Sequence, residues 1–283
     1  MGVRIVTDST ADLSSDLAAS LNITVVPLNV HFGEQVYRDG VDISADEFYS
    51  RLKTSSVFPR TSQPSAGAFA EVYERLTERG FDVVSIHISA KLSGTCNSAF
   101  AARASLSSNR RIELVDSQYT SLAQGMIVLA AARAADSGAE VDEVLRVTAD
   151  AMSRTQVRFT VDTLEYLWRG GRIGKAQRLM GALLNVKPIM TIVDGEIHPL
   201  ARVRSRSRAL DHLLDFAATT DSREAAIVYA ACAGEAERFR ARLAQTLRGK
   251  PLHVAQFGPV LGAYAGPGAM AVALLTSRRL QEP

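Results

Sequence analysis

Apolar positions in the first half of the chain fall in short runs that alternate with amphipathic stretches. VRIVTD, residues 3–8, is a brief apolar run ending in polar residues, the pattern of a strand entering a loop. Leu17, Ala18 and Leu21 then share one face of a helix that begins near Ser14. The runs NITVVPLNVHF and EQVYRD predict two strands around Gly33-Glu34, a hairpin signal. Ser44-Ala45-Asp46-Glu47 has the form of a capping box, in which the serine accepts from first-turn N–H groups and the glutamate reaches back. It opens a helix through about Lys53. TSQPS, residues 61–65, precedes a helix over 66–79 that Gly80 stops. A strand over 83–88, a polar junction over 89–96 and a helix with its body at 97–103 come next. Residues 111–116 read as a strand, and the Ala-rich stretch from Ser121 as a long helix. Strands separated by helices imply parallel βαβ units with right-handed crossovers.

The second half has a different rhythm. A helix near 140–155 leads to a strand over 157–162, and residues 163–185 read as a helix, a glycine break and a second helix. Residues 187–204 form a hairpin with Asp194-Gly195 at its tip, a strong turn signal. A helix over 207–220, a strand over 225–233 and a helix over 235–247 follow. The last segment reads as a strand from Leu252, a glycine-rich loop and a closing helix through AVALL. Hairpins mixed with helices point to a mixed sheet. The expected fold is α/β in two domains. The first, over 1–155, has a parallel sheet with a small β-hairpin insertion; the second, over 156–283, has a mixed sheet. The boundary shows no low-complexity linker, so the halves are expected to pack tightly.

Composition narrows the functional classes. Hydrophobic residues make up 47% and charged residues 22%, ordinary values for a globular chain with a real core. The 32 basic and 30 acidic residues leave a charge of +2, which argues against bulk electrostatic binding of nucleic acid. Two cysteines, Cys96 and Cys232, are too few for a disulfide framework or a cysteine zinc site. No apolar run approaches the ~20 residues of a membrane span. MGVRIVTDST enters a strand at once and lacks a signal-peptide pattern, so a cytoplasmic location is expected.

The candidate chemistry sits at strand ends. In open α/β sheets ligands bind beyond the carboxyl ends of the strands, and helix N-termini there favour a carboxylate or phosphate. Thr7-Asp8-Ser9-Thr10, Thr61-Ser62, Ser89 to Thr95 and Asp116-Ser117 are such junctions. Each is also explained by ordinary capping, for which Ser, Thr and Asp are the preferred residues. GGRIGKA is no phosphate loop, because Arg169 stands where the first glycine belongs and Ala176 where a Ser or Thr belongs. GPVLGAYAGPGA lacks the G-x-G-x-x-G register. His31, His87, His198, His212 and His253 are scattered, with no pair at metal-ligand spacing. Leu92-Ser93-Gly94 lacks the first glycine of a nucleophile elbow. Cys96 reads as a small buried side chain rather than a reactive thiol. RVRSRSRA, residues 202–209, is the one basic cluster: either a solvated helix start or a dock for an acidic partner.

Six segments together are more telling. TDSTADL (7–13), TSQPS (61–65), ISAKLSGTCNSA (88–99), VDSQYTSLAQG (115–125), LEYLWRGGRIG (164–174) and GPVLGAYAGPGA (258–269) resemble, in order and along nearly the whole chain, the DegV family. The resemblance implies a fatty-acid-binding carrier with no cofactor. A long-chain fatty acid would lie in an apolar tunnel, its carboxylate held at the Ser/Thr-rich loops. It also implies a partner, a separate kinase subunit related to dihydroxyacetone kinases, which phosphorylates the bound acid to an acyl phosphate. Transient membrane contact is compatible with that role. By the resemblance, Thr61 and Ser93 are carboxylate-binding hydroxyls and Arg172 stands beside them. Arg202 is a head-group or kinase-docking position, and Ser62, Gly94, Thr95, Asp116 and Ser117 support the loops. The family usually has a histidine in the last glycine-rich segment, where this chain has Tyr264. Tyrosine donates a hydrogen bond but cannot become an imidazolium, so either Tyr264 binds the carboxylate as a neutral donor or the chain binds lipid without serving a kinase. Two other readings stay open from the residues: a stand-alone enzyme acting on a small acid or phosphorylated ligand, and a lipid sensor with a regulatory partner.

Overall fold

The computed structural model describes residues 2–107, 109–179 and 186–279. Strands β1 (Val3–Asp8), β2 (Thr24–Val26), β6 (Asp82–His87) and β7 (Ile112–Asp116) form a sheet in the order β2-β1-β6-β7, every pair parallel. Such a sheet is covered on both faces, and β1 and β6 are accordingly almost wholly buried. Helices α1 (Ser15–Ser20), α3 (Ala66–Glu78) and α4 (Thr95–Ser105) lie in the crossovers between its strands, and α5 (Ser121–Asp136) and α6 (Val141–Arg154) lead from β7 to the second sheet. The capping box opens α2 (Ala45–Thr54) as expected: Ser44 accepts from the Glu47 N–H, and Glu47 accepts from the Ser44 N–H.

The second sheet has six strands. They are β8 (Thr155–Thr160), β9 (Lys187–Val193), β10 (Glu196–Val203), β11 (Ser222–Tyr229), β12 (Leu252–Gln256) and β13 (Met270–Thr276), in the order β10-β9-β8-β13-β11-β12. Only β11 and β12 pair in parallel. Asp194 and Gly195, both at positive φ, turn the β9–β10 hairpin. Helices α8 (Arg206–Thr219) and α9 (Ala233–Leu247) pack on one face through Leu213, Phe216, Phe239 and Leu243. The other face turns toward α5. That helix is buried from Ser121 through Leu129, because β1 lies on one side of it and β8, β11 and β13 on the other. The resulting α/β architecture, a parallel sheet and a mixed sheet, is the expected one.

Four local expectations change. The run NITVVPLNVHF is two strands, not one. β2 ends at Val26, Pro27 breaks the ladder, and β3 (Asn29–Phe32) pairs instead with β4 (Gln35–Arg38) and β5 (Arg60–Ser62) in a three-stranded antiparallel sheet. The hairpin insertion therefore gains a third strand, one that places Thr61 and Ser62. The glycine-rich segment contains a helix, α10 (Pro259–Ala265), with proline at its start. AVALL belongs to β13, a central strand buried on both faces, and a short apolar run of that kind does not distinguish strand from helix. Beyond α7 (Glu165–Arg169) and the glycines, residues Gly174–Leu179 form a 3₁₀ turn, and the rest of the expected second helix lies outside the described residues.

An ion cluster ties the parts together. Arg133 of α5 donates through Nη1 and Nη2, 3.1 Å each, to Glu224 of β11, and His253 of β12 reaches the same carboxylate. Burial would raise the Glu224 pKa, but the bonds from His253 and Arg133 win and hold it at about 2. Among the described residues no helix is long and apolar enough to cross a membrane.

Candidate functional site

Between the sheets lies a cavity whose empty space is ≈ 940 Å³, counting the part open to solvent. Its walls come from both halves of the chain. Val157 and Phe159, two apart on β8, face inward with Ile192, Ile197 and Ala271, while Arg158 points the other way and covers Phe216 of α8. Phe257 and, on α10, Val260, Leu261 and Ala265 close another side, and Leu28, Ile88, Leu92, Leu167 and Ala269 complete the apolar lining.

The polar groups gather where three loops meet. The loop after β6 is held tightly: Leu92 and Ser93 donate their N–H groups to Ser89 O (2.9 and 3.0 Å), and the Ile88 N–H donates to Asp8 Oδ2 (3.0 Å). The Ser89 hydroxyl donates to Gly195 O at the tip of the β9–β10 hairpin (2.8 Å). Ser93 then faces the cavity, its Oγ 2.9 Å from Thr95 Oγ1. Thr61, brought in by β5, shares a hydrogen bond with the Tyr264 hydroxyl on α10. Arg172 donates from Nε to Leu92 O (3.1 Å) and from Nη1 to Gly170 O (2.7 Å), with its guanidinium 5.2 Å from the centre of the Tyr264 ring. Gly170 permits this approach, since a Cβ there would sit 2.3 Å from Tyr264 Cδ1. Thr61, Ser93, Arg172 and Tyr264, four residues distant in sequence, thus converge at one mouth of the cavity.

The other expected residues have varied places. Ser62 lines the cavity, but its hydroxyl is engaged by His31 Nε2 at 2.9 Å. Gly94 lies against the Gln63 amide, and Thr95 is fully buried behind Ser93. Asp116 accepts the N–H groups of Ala90 (3.2 Å) and Gln118 (2.9 Å), and the buried Ser117 hydroxyl donates to Tyr119 O; both hold loops and neither lines the cavity. Arg202 stands exposed on β10, away from the cavity lining, so a head-group role for it has no support in the geometry. Gln63, Thr120 and Ser121 line the cavity without having been singled out; they sit in the same helix-entry segments as residues that were.

The Thr7–Thr10 junction turns inward. Asp8 accepts from the Thr10 N–H (3.1 Å) and hydroxyl, His87 Nδ1 (3.0 Å) and Gln124 Nε2 (3.3 Å), besides Ile88. His87 Nε2 lies 2.7 Å from Ser85 Oγ, which also accepts from Tyr73. The Asp–His–Ser order is that of a hydrolytic triad, but Ser85 is 0% and His87 1% exposed, so no substrate reaches the hydroxyl. Two more carboxyl groups meet the start of α10. Asp12 accepts from the Gly258 N–H (2.9 Å) and the Ser121 hydroxyl (2.5 Å), and Asp39 from the Ser9 hydroxyl (2.8 Å). Burial pushes Asp12 up to about 8 and Asp39 to about 7, outweighing those bonds. Burial also pushes the Cys96 thiol up to about 12, which bears out its reading as a small buried side chain. Among the described residues no group of three or more His, Cys, Asp or Glu could hold a metal ion.

Comparison with known proteins places this arrangement. A model of a family described as "Uncharacterised protein, DegV family" matches residues 2–277. A DegV domain-containing protein of Halalkalibacterium halodurans is 36% identical over 275 residues, covering 95% of this chain and 96% of its own. A DegV family protein from Thermus thermophilus, described for its fatty acid binding, superposes with a TM-score of 0.90 at 36% identity, over 98% of this chain and 100% of that one. A fatty-acid (stearic acid)-binding protein from Eubacterium ventriosum gives 0.90 at 30% identity, over 96% and 97%.

Proposed function

We propose, from the premise that this chain belongs to the DegV family, that it binds a long-chain fatty acid in the inter-sheet cavity and presents the carboxylate to a separate kinase subunit for conversion to an acyl phosphate. The observation that carries the reading is the cavity itself: apolar along its walls, with Thr61, Ser93, Tyr264 and Arg172 gathered at one end. A carboxylate is costly to strip of water unless donors replace the water, and hydroxyls beside a guanidinium are such donors. An acyl chain of about 16 carbons contributes on the order of 10 kcal/mol by burial before the costs of binding.

Presentation draws support from outside the mouth. Thr61, Arg172 and Tyr264 also border a groove lined by His31, Phe58, Arg60 and Arg169, which leads from the carboxylate end to solvent. Val57 borders the same groove, and Trp168, next to Arg169, is 52% exposed; both support transient contact with a membrane. Exposed Arg202 fits the docking of an acidic partner better than a head-group role. The Asp8–His87–Ser85 array is sealed in the core and lends no support to a free-standing hydrolase.

The experiment uses delipidated protein loaded with oleate. Ser93→Ala is expected to weaken retention about tenfold, the loss of one hydrogen bond to a charged group. Ser14→Ala, which removes only the cap of α1, is expected to leave it unchanged. Equal effects would move the carboxylate elsewhere. The loaded protein is expected to turn over no ATP until a kinase subunit is added, and turnover by the chain alone would remove the presenting role.

A further inference from the structure

The donors at the mouth are partly spent on the protein itself. Thr61 and Tyr264 share a hydrogen bond, and Ser93 Oγ shares one with Thr95 Oγ1 at 2.9 Å. Each pair has two hydroxyl hydrogens and uses one between its members, so each pair offers one to a ligand. Arg172 uses Nε on Leu92 O and Nη1 on Gly170 O. An ionised carboxylate has two oxygens with about four acceptor sites between them, which leaves room for a further donor.

Gln63 is placed to be that donor. It follows β5 directly, and alternation along the strand turns its side chain to the same side as Thr61, two residues earlier. Pro64, which is buried, restricts Gln63 to an extended backbone. The side chain lines the cavity and lies across Gly94, the residue after Ser93: a Cβ on Gly94 would sit 2.6 Å from Gln63 Nε2 and 2.9 Å from its Oε1. Gly94 has φ −75, open to any residue, so the glycine serves the close approach of the amide rather than a turn. Gln63 is exposed, and its amide makes no hydrogen bond among the described residues. Both Nε2 hydrogens are therefore free for a group that enters the mouth beside Ser93.

We propose that Gln63 Nε2 donates to the carboxylate of the bound fatty acid and makes the mouth selective for an ionised head group. The inference rests on the fatty-acid reading above and adds a head-group ligand to it. It is tested by equilibrium binding, at mildly alkaline pH, of oleate and of oleyl alcohol to delipidated protein; the alcohol shares the chain but carries no charge. Gln63→Ala is expected to weaken oleate about tenfold, the loss of one hydrogen bond to a charged group. Gln63→Glu, of nearly the same shape, replaces the donor by a second negative charge and is expected to weaken oleate at least about a hundredfold. Both variants are expected to bind oleyl alcohol as the wild type does, which also shows that their cavities are intact. Oleate bound by the glutamate variant as by wild type, or both ligands weakened alike, overturns the proposal and leaves the fatty-acid reading standing. Failure of the wild type to bind oleate overturns both.

Discussion

Replacing Ala271 by phenylalanine is expected to lower the affinity for a long-chain fatty acid at least about a hundredfold. Ala271 lines the cavity from the central strand β13, with Val272 facing α8 and α9 on the opposite side. A phenyl ring there occupies the space of several methylenes. Excluding about four of them forfeits roughly 3 kcal/mol at 0.8 kcal/mol each, which is two orders of magnitude in affinity. The mouth is untouched, because Ser93, Thr61 and Tyr264 are placed by other elements. A titration with acids of graded length checks this: long acids should weaken and short ones should bind as they do to wild type. Unaltered binding of long acids would put the chain somewhere other than this cavity.

The second large effect is on stability. Asp8→Ala is expected to cost about 3–5 kcal/mol, the range for removing one partner of a buried pair. For a chain of this size that lowers Tm by about 10 °C. The carboxylate is fully buried and accepts from His87, Ile88, Gln124 and both the N–H and hydroxyl of Thr10, so its removal strands donors that water cannot reach. Burial alone would raise the Asp8 pKa; the bonds from His87, Thr10 and Ile88 outweigh it, and the folded value lies below the ordinary 3.8. The sign follows from linkage. The stabilisation is fully present above 3.8 and is lost as pH falls through the lower folded value. Thermal melts at neutral and acid pH should show a large loss for the variant at neutrality and a smaller one in acid. A Tm within about 2 °C of wild type at neutral pH would mean the network is not structural. Since Asp8 also anchors Ile88, the same variant should loosen the loop that aims Ser93.

The sequence made the polar half of the site readable and the apolar half not. Ser93 and Thr61 sit at junctions between strands and helices, where hydroxyls have a recognisable role, and the six-segment resemblance assigned them to a carboxylate. Tyr264 was placed by the same resemblance, as a substitute for histidine; its bond to Thr61, 203 residues away, depends on α10 packing beside β5. The apolar walls could not be read, because Val157, Ile192 and Ala271 share a face only through the register of β8 with β13 and β9. The final strand reads as a helix in the sequence for a related reason: MAVALLT is buried on both faces, which removes the alternation that marks a half-exposed strand. Asp8 carried the opposite error. A polar cluster after a strand reads as a ligand site, yet here the carboxylate turns into the core toward a histidine 79 residues away. Whether such a residue faces outward or inward is decided by its neighbours in the sheet, not by its own segment.

If the cavity holds a long acyl chain, burial on the order of 10 kcal/mol keeps that ligand bound through purification. Mass spectrometry of an organic extract from denatured recombinant protein tests this most directly. Long-chain fatty acid in near-equal proportion to protein is the result expected, and an extract with no acyl chain would contradict it.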